Sequence, residues 1–296
     1  MWGRWLLRPR YLRGAGAPDP STTLFGAALS FPVLVAPWAY QRLTHPKGDL
    51  ATRRAASAAG TLMVVSSTAE DLIEDVAEAA DGPAWWQLYV FSDRGATADM
   101  LARVAAAGYG AIVWTVDFPV NGLRHRDTRN GFVMPIGVHP AGMVYDPDLR
   151  WDDLEWIRKR APGLPIIVKG LLAAEDARLA LEHGADGIVV SNHGARQLDG
   201  VLTPLEALRE IVEAVDGRVP VLIDGGIRRG THVLVALALG AAAVMVARPV
   251  AWGLAAHGEE GVAGVLAIFR AELENAMSLT GCTTLHEIEM SLLREV

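Results

Sequence analysis

A chain of 296 residues, 51% of them hydrophobic, can bury one large core and exceeds the ~250 residues typical of an α/β barrel. Its formal charge of -7 and pI near 5.6 exclude an overall basic footprint, so no nucleic-acid partner is expected. The lone cysteine, Cys282, excludes a disulfide framework and a cysteine-rich metal site, and suits a reducing cytoplasm.

In chain order, the first ten residues are too interrupted by Arg4, Arg8 and Pro9 to hold the ~7–15-residue apolar core of an export signal. No later apolar run reaches the ~20 residues of a membrane helix, so no membrane partner is expected either. Eight short apolar, β-branched runs then follow: Pro32–Ala39, Leu62–Ser67, Trp85–Phe91, Ala111–Asp117, Pro165–Gly170, Gly187–Asn192, Val219–Gly225 and Ala243–Pro249. Helical patterns separate them at Asp49–Ala59, Glu70–Ala80, Thr97–Ala107, Trp151–Arg160, Ala174–His183, Pro204–Val215 and Gly230–Leu239. Continuous apolar strands alternating with helices predict a parallel sheet covered by helices. Eight such units predict a closed (β/α)₈ TIM barrel, with residues 1–296 as a single domain. The stretch Phe118–Asp148 carries Pro119, Gly122, Gly131, Pro135, Gly137, Pro140, Gly142 and Pro147 and reads as a long loop after the fourth strand. Loops of that length in compact domains are usually functional.

Catalytic residues of such barrels sit at the C-terminal strand ends. Polar residues gather there: Ser66, Ser67, Gln87, Tyr89, Thr115, Asp117, Lys169, Ser191, His193, Asp224 and Arg248. Gln87 with Tyr89, Thr115 with Asp117, and Ser191 with His193 are two apart, a spacing that puts both on one strand face. The competing reading is that single members, Ser67, Asp224 and Asn192 among them, cap the following helices. Lys169 closes a buried run and needs an anionic or hydrogen-bonding partner, for which a strand-end aspartate is the plain alternative to a ligand. The sharpest local signal is Ser191-Asn-His-Gly-Ala-Arg-Gln-Leu-Asp-Gly200. His193 suits a general base, since an imidazole titrates near neutrality. Arg196 matches a carboxylate with a two-pronged fork. The second signal is Asp224-Gly-Gly-Ile-Arg228, followed by Ala247-Arg248. Glycines ahead of a helix let backbone amides approach an anion, and phosphate sites in these barrels lie after strands seven and eight.

These residues resemble the FMN-dependent 2-hydroxy-acid oxidases and dehydrogenases, the family of glycolate oxidase, lactate oxidase and mandelate dehydrogenase. The resemblance runs from about Leu7 to the C-terminus. Besides the motifs above it includes Ala36-Pro-Trp-Ala39, His45-Pro-x-Gly48, Gln87-Leu-Tyr89, Thr115-Val-Asp117, Arg124, Arg129-Asn-Gly-Phe132 and Val168-Lys-Gly170. It implies FMN as cofactor and oxidation of an L-2-hydroxy acid to a 2-oxo acid. His193 would take the hydroxyl proton as the 2-hydrogen passes to flavin N5, and Asp117 would orient His193. Lys169 would stand by the N1/O2 edge of the flavin. Arg124 and Arg196 would hold the substrate carboxylate and Tyr89 would hydrogen-bond the substrate. Pro37, Trp38, Ala39, Ser66, Gln87, Thr115 and Ser191 would line the flavin. Asp224, Gly225, Gly226, Ile227, Arg228, Ala247 and Arg248 would hold its ribityl and phosphate end. No metal is implied. The acceptor of the electrons is oxygen or a redox partner, and the family implies a homotetramer.

Three departures bear on that reading. Relatives carry an N-terminal helical segment with a substrate-binding tyrosine ahead of the Leu7 region. Trp38 and Ala247 stand where the family has threonine and glycine. The loop after the fourth strand is short. Thr68 replaces a bulky tryptophan of glycolate-specific members, which predicts a roomier substrate pocket and preference for larger acids. The alternatives are a catalytically degenerate FMN- or phosphate-binding barrel and a flavin-dependent isomerase of the type 2 isopentenyl diphosphate class. The latter needs diphosphate contacts in place of the His193/Arg196 pair.

Overall fold

Side chains two apart along a strand share a face, and here that rule splits each strand between two cores. The computed structural model describes residues 2–133 and 144–296. Its eight parallel strands are β1 (Val33–Val35), β2 (Met63–Ser66), β3 (Ala84–Leu88), β4 (Ile112–Thr115), β5 (Ile166–Leu171), β6 (Gly187–Val190), β7 (Val221–Ile223) and β8 (Ala243–Val246). Each pairs with its sequence neighbours and β8 pairs with β1, closing the barrel. Leu34, Val64, Trp85, Val113, Ile167, Val189, Leu222 and Met245 point inward and fill it. Val35, Val65, Trp86, Trp114, Val168, Ile188, Ile223 and Val244 point outward. They pack against α1 (Gly48–Ala58), α2 (Ile73–Glu78), α3 (Arg94–Ala106), α4 (Asp153–Arg158), α5 (Ala174–Glu182), α6 (Pro204–Val215), α7 (Gly230–Ala238) and α8 (Arg248–Thr280).

All eight expected strands and all seven expected helices are present. All strands but β5, which continues one residue past its run to Leu171, end earlier than their apolar runs, because the last residues of those runs turn into the barrel mouth. The hairpin Thr22–Leu24/Ala27–Leu29 and helix α8, kinked at His257 and Gly258, were not anticipated. The hairpin turn, Phe25 and Gly26, has positive φ at both residues, the geometry of a two-residue hairpin turn. It inserts Phe25 edge-on against Trp85, ring centroids 5.5 Å apart, and so stoppers the N-terminal end of the barrel. A cleft of about 480 Å³ beside this hairpin, lined by Thr22, Val215, Pro220 and Leu237 among others, lies at the end opposite the polar residues. The loop after β4 contains one helical turn, His125–Arg129, and returns to pair Tyr145 with Phe91. Its Pro135, Gly137, Pro140 and Gly142 lie outside the described residues. Among those described, no helix is long and apolar enough to cross a membrane.

One buried charge has a consequence for stability. Asp49, in the first turn of α1, is fully buried, and neither carboxylate oxygen has a hydrogen-bond partner among the described residues. Burial first, then the Asp71 carboxylate, pushes its pKa up to about 7, and the nearby Glu70 amide offsets only part of this. The folded state therefore holds a proton that the unfolded chain releases near pH 4. Stability falls as pH rises between those values and stays lowered above the folded pKa. Asp49→Asn is expected to remove this slope and raise stability at pH 8 by on the order of 4 kcal/mol, with little gain at pH 4. Urea unfolding at the two pH values checks it; equal effects at both would contradict it.

Candidate active site

The polar layer at the mouth is the inward face of the barrel carried one step further. Ser66, Gln87, Thr115, Lys169, Ser191 and Asp224 each stand two residues beyond an apolar residue of the barrel filling, and all are buried. Lys169 Nζ donates to Ser191 Oγ at 3.0 Å and lies 3.4 Å from Asp224 Oδ2. Burial works against its ammonium, but the Asp224 and Asp117 carboxylates outweigh it and hold the Lys169 pKa above the ordinary value. The aspartate partner weighed as the plain alternative is thus present. Burial likewise opposes the Asp117 carboxylate, yet Lys169 and a hydrogen bond from His193 hold its pKa down.

His193 lies further past the end of β6, where strand alternation does not explain its placement. A left-handed backbone at His193, φ 57°, swings the imidazole back over the mouth. Its Nδ1 meets Asp117 Oδ1 at 2.8 Å, and Nε2 lies 3.4 Å from the Tyr89 hydroxyl. Asp117 fits because residue 170 is glycine: at φ +115° a Cβ there would lie 2.6 Å from Asp117 Cβ. Burial raises the Tyr89 pKa, so its hydroxyl stays a neutral donor. Arg124 and Arg196 flank this group. Partial burial first, then the Arg124 charge, pulls the Arg196 pKa down, and among the described residues neither arginine has a salt-bridge partner. The Asp127 carboxylate offsets part of this without forming a salt bridge, and two neighbouring cations so placed suit an anion.

A second pair of arginines suited to an anion lies after β7 and β8. Gly225 and Gly226 both take positive φ, leading to Arg228, whose guanidinium lies over Trp252 at 5.0 Å. Arg248 donates to the Gly194 carbonyl at 3.3 Å. Burial first, then the Arg248 charge, lowers the Arg228 pKa, and neither has a salt-bridge partner among the described residues. The helix-capping alternative fails here. Ser67 Oγ accepts the Tyr89 amide, Asn192 Oδ1 accepts the Ala195 amide within its own loop, and Asp224 faces Lys169. The side-chain caps are Asp93 on α3 and Thr203 on α6, while Glu272 of α8 accepts the Gly230 amide at the start of α7.

At the barrel mouth, Gln87 Nε2, Thr115 Oγ1 and Trp38 Nε1 are buried without a hydrogen-bond partner among the described residues. Buried polar groups are rarely left so. They suit the polar edge of a heteroaromatic ring, and the arginines after β7 and β8 suit its phosphate, so the residues present fit FMN. Comparison with known proteins agrees. The FMN-dependent dehydrogenase family matches residues 1–295.

The chain belongs to that family.

It is 46% identical to L-lactate oxidase of Nostoc sp., over 97% of this chain and 86% of the relative. It is also 46% identical to glycolate oxidase of Spinacia oleracea, over 98% and 84%. The crystal structure of mandelate oxidase superposes with a TM-score of 0.93 at 43% identity, covering 100% of this chain and 87% of that one.

Within this FMN-dependent family member, Tyr89, Asp117, Lys169, Ser191, His193 and Asp224 form one connected chain. Ser66, Thr68 and Gln87 form a second, with Thr68 Oγ1 2.8 Å from Ser66 Oγ and Ser66 donating to Gln87 Oε1 at 3.2 Å. Pro37, Trp38 and Ala39 follow β1, where the Ala36 amide bonds the Val246 carbonyl beside Ala247. Other residues at the mouth had no role assigned from sequence. Phe118 and Tyr145 surround Tyr89, at 5.2 and 4.8 Å between ring centroids, and Phe118 lies 5.6 Å from the His193 ring. Gln197 Nε2 donates to the Asp117 and Val120 carbonyls, tying the His193 loop to the loop after β4. Gln197 lies within the quoted motif, but nothing in its spacing disclosed that tie.

Proposed function

We propose that this chain oxidises an L-2-hydroxy acid to the 2-oxo acid, with oxygen as the final electron acceptor and hydrogen peroxide as co-product. The observation that carries this reading is His193, held by Asp117 and Tyr89, beside Arg124 and Arg196, neither of which has a salt-bridge partner among the described residues. Bound FMN supplies the acceptor for the hydrogen and electron pair that leave carbon 2. The arginine pair holds the substrate carboxylate, which directs the 2-hydroxyl toward Tyr89 and His193. His193 Nε2 accepts the hydroxyl proton as the carbonyl forms, and Asp117 stabilises the resulting imidazolium. Buried cationic Lys169 would neutralise negative charge gained by the cofactor in that step. Gln87, Thr115 and Trp38 would hold the ring, and Arg228 and Arg248 the phosphate. The oxidase names of the relatives support oxygen, and L-lactate oxidase among them supports the L configuration. The lone buried cysteine supports a cytoplasmic location. Aerobic turnover of lactate, mandelate and glycolate should release 2-oxo acid and peroxide in equal amounts. 2-Oxo acid without peroxide would point to a dedicated redox partner, and neither product would refute the reading.

Thr68 makes the substrate class testable. It is buried beside Ser66 at the end of β2, and its small side chain leaves room for the 2-substituent. Larger acids such as mandelate should exceed glycolate in kcat/KM. Thr68→Trp should reverse that order by about tenfold or more, the scale set by filling an apolar subsite. An unchanged order would refute the pocket assignment.

A further inference from the structure

His232 lies against the cofactor turn without a part in the chemistry above. It is the third residue of α7, which begins at Gly230. Its ring reaches back over the turn before the helix, where Nδ1 accepts the Arg228 amide at 3.2 Å and the Gly226 carbonyl also faces the imidazole. In a capping box, a Glu or Gln side chain at this third position accepts a backbone N–H at the helix start. Here an imidazole serves, and it reaches one residue further back. The ring is stacked on Trp2, with centroids 4.9 Å apart and planes 2° from parallel. The charged groups around it are Arg228 and Arg229 of the turn and Glu272 of α8, and Glu272 is engaged by Arg229 at 2.8 Å and by the Gly230 amide at 2.7 Å. An Nδ1 that accepts an amide is unprotonated, and burial first, then the two arginines, favours the neutral ring.

We propose that His232 is a positioning residue for the FMN phosphate: by accepting the Arg228 amide, it fixes the Gly225–Arg228 turn against Arg248. The turn needs such a fixture. Two successive glycines with positive φ have more backbone freedom than any other pair, and a phosphate receptor made of backbone amides works only when its N–H groups are already aimed. Trp2 supplies the opposite wall, so a segment from the far N-terminus braces the cofactor site. The proposal rests on the phosphate lying between that turn and Arg248, as proposed above.

The test is titration of the flavin-free full-length protein with FMN and with riboflavin, which lacks the phosphate, followed by quenching of flavin fluorescence. His232→Phe keeps a ring against Trp2 and removes the acceptor. It should weaken FMN binding about three- to tenfold, the scale of one hydrogen bond, and leave riboflavin binding unchanged. His232→Gln, which restores an acceptor, should bind FMN nearly as the parent does. If His232→Phe does not fold, His232→Leu is read in the same way, with riboflavin binding reporting that the barrel is intact. FMN affinity equal to the parent's, or equal weakening toward both flavins, would overturn the role of His232. Arg248→Ala in the same titration separates the two claims. If it keeps the parent's preference for FMN over riboflavin, the phosphate placement itself is wrong. If it loses that preference while His232→Phe does not, only the His232 proposal falls.

Discussion

His193→Ala is expected to slow substrate-driven flavin reduction by about 10²–10⁴-fold, the usual contribution of a general base, while FMN stays bound. The imidazole is held by Asp117 at 2.8 Å, and among the described residues no hydrogen bond or ring contact joins it to the Gly225–Arg228 turn, so FMN binding should be retained. Alanine is somewhat less favourable than histidine in the left-handed backbone, and the buried Asp117 carboxylate loses a hydrogen bond, so the fold should lose about 1–3 kcal/mol. A purely structural histidine would show the reverse, with a lowered melting temperature and a normal reduction rate. Measuring both on one preparation separates the two roles.

Lys169→Met should produce the largest loss of stability. Lys169 is fully enclosed by the mouth layer, with Ser191 at 3.0 Å and Asp224 at 3.4 Å, and its charge also supports the Asp117 carboxylate. Removing one partner of a buried pair strands the other, at a cost of about 3–5 kcal/mol. Adding Asp224→Asn should recover part of that loss, because the stranded carboxylate is gone, and a double-mutant cycle on denaturant unfolding reads the coupling. Additive losses would mean that Lys169 and Asp224 do not form a pair. Flavin reduction should stay impaired in the double variant, since restoring stability does not restore the cation.

Much of the site was legible in the sequence because the barrel turns a period of two into a ring. Val64 to Ser66, Trp85 to Gln87, Val113 to Thr115, Ile167 to Lys169, Val189 to Ser191 and Leu222 to Asp224 each take one step along an inward strand face, from filling to mouth. The same rule does not reach His193, whose meeting with Asp117 depends on a left-handed φ at a residue that is not glycine. Helix α8 was obscured by Gly253, Gly258, Gly261 and Gly264, which lower helix propensity along its length. The stoppering hairpin has strands of three residues, too short to display a period. Tyr145 and Phe118 lie in or beside the least patterned loop, and the stack of Trp2 on His232 joins the first residues of the chain to a distant helix. Contacts of that kind come from the closed topology and leave no local pattern.

The central claim is that His193 and the arginine pair present a 2-hydroxy acid to FMN. Anaerobic mixing of the FMN-loaded protein with L-lactate and L-mandelate, followed by visible flavin absorbance, tests it most directly. The flavin should bleach completely with one equivalent of acid, leave one equivalent of 2-oxo acid, and regain its colour when air is admitted. A flavin that stays oxidised with every L-2-hydroxy acid tried, in protein that binds FMN normally, would contradict it.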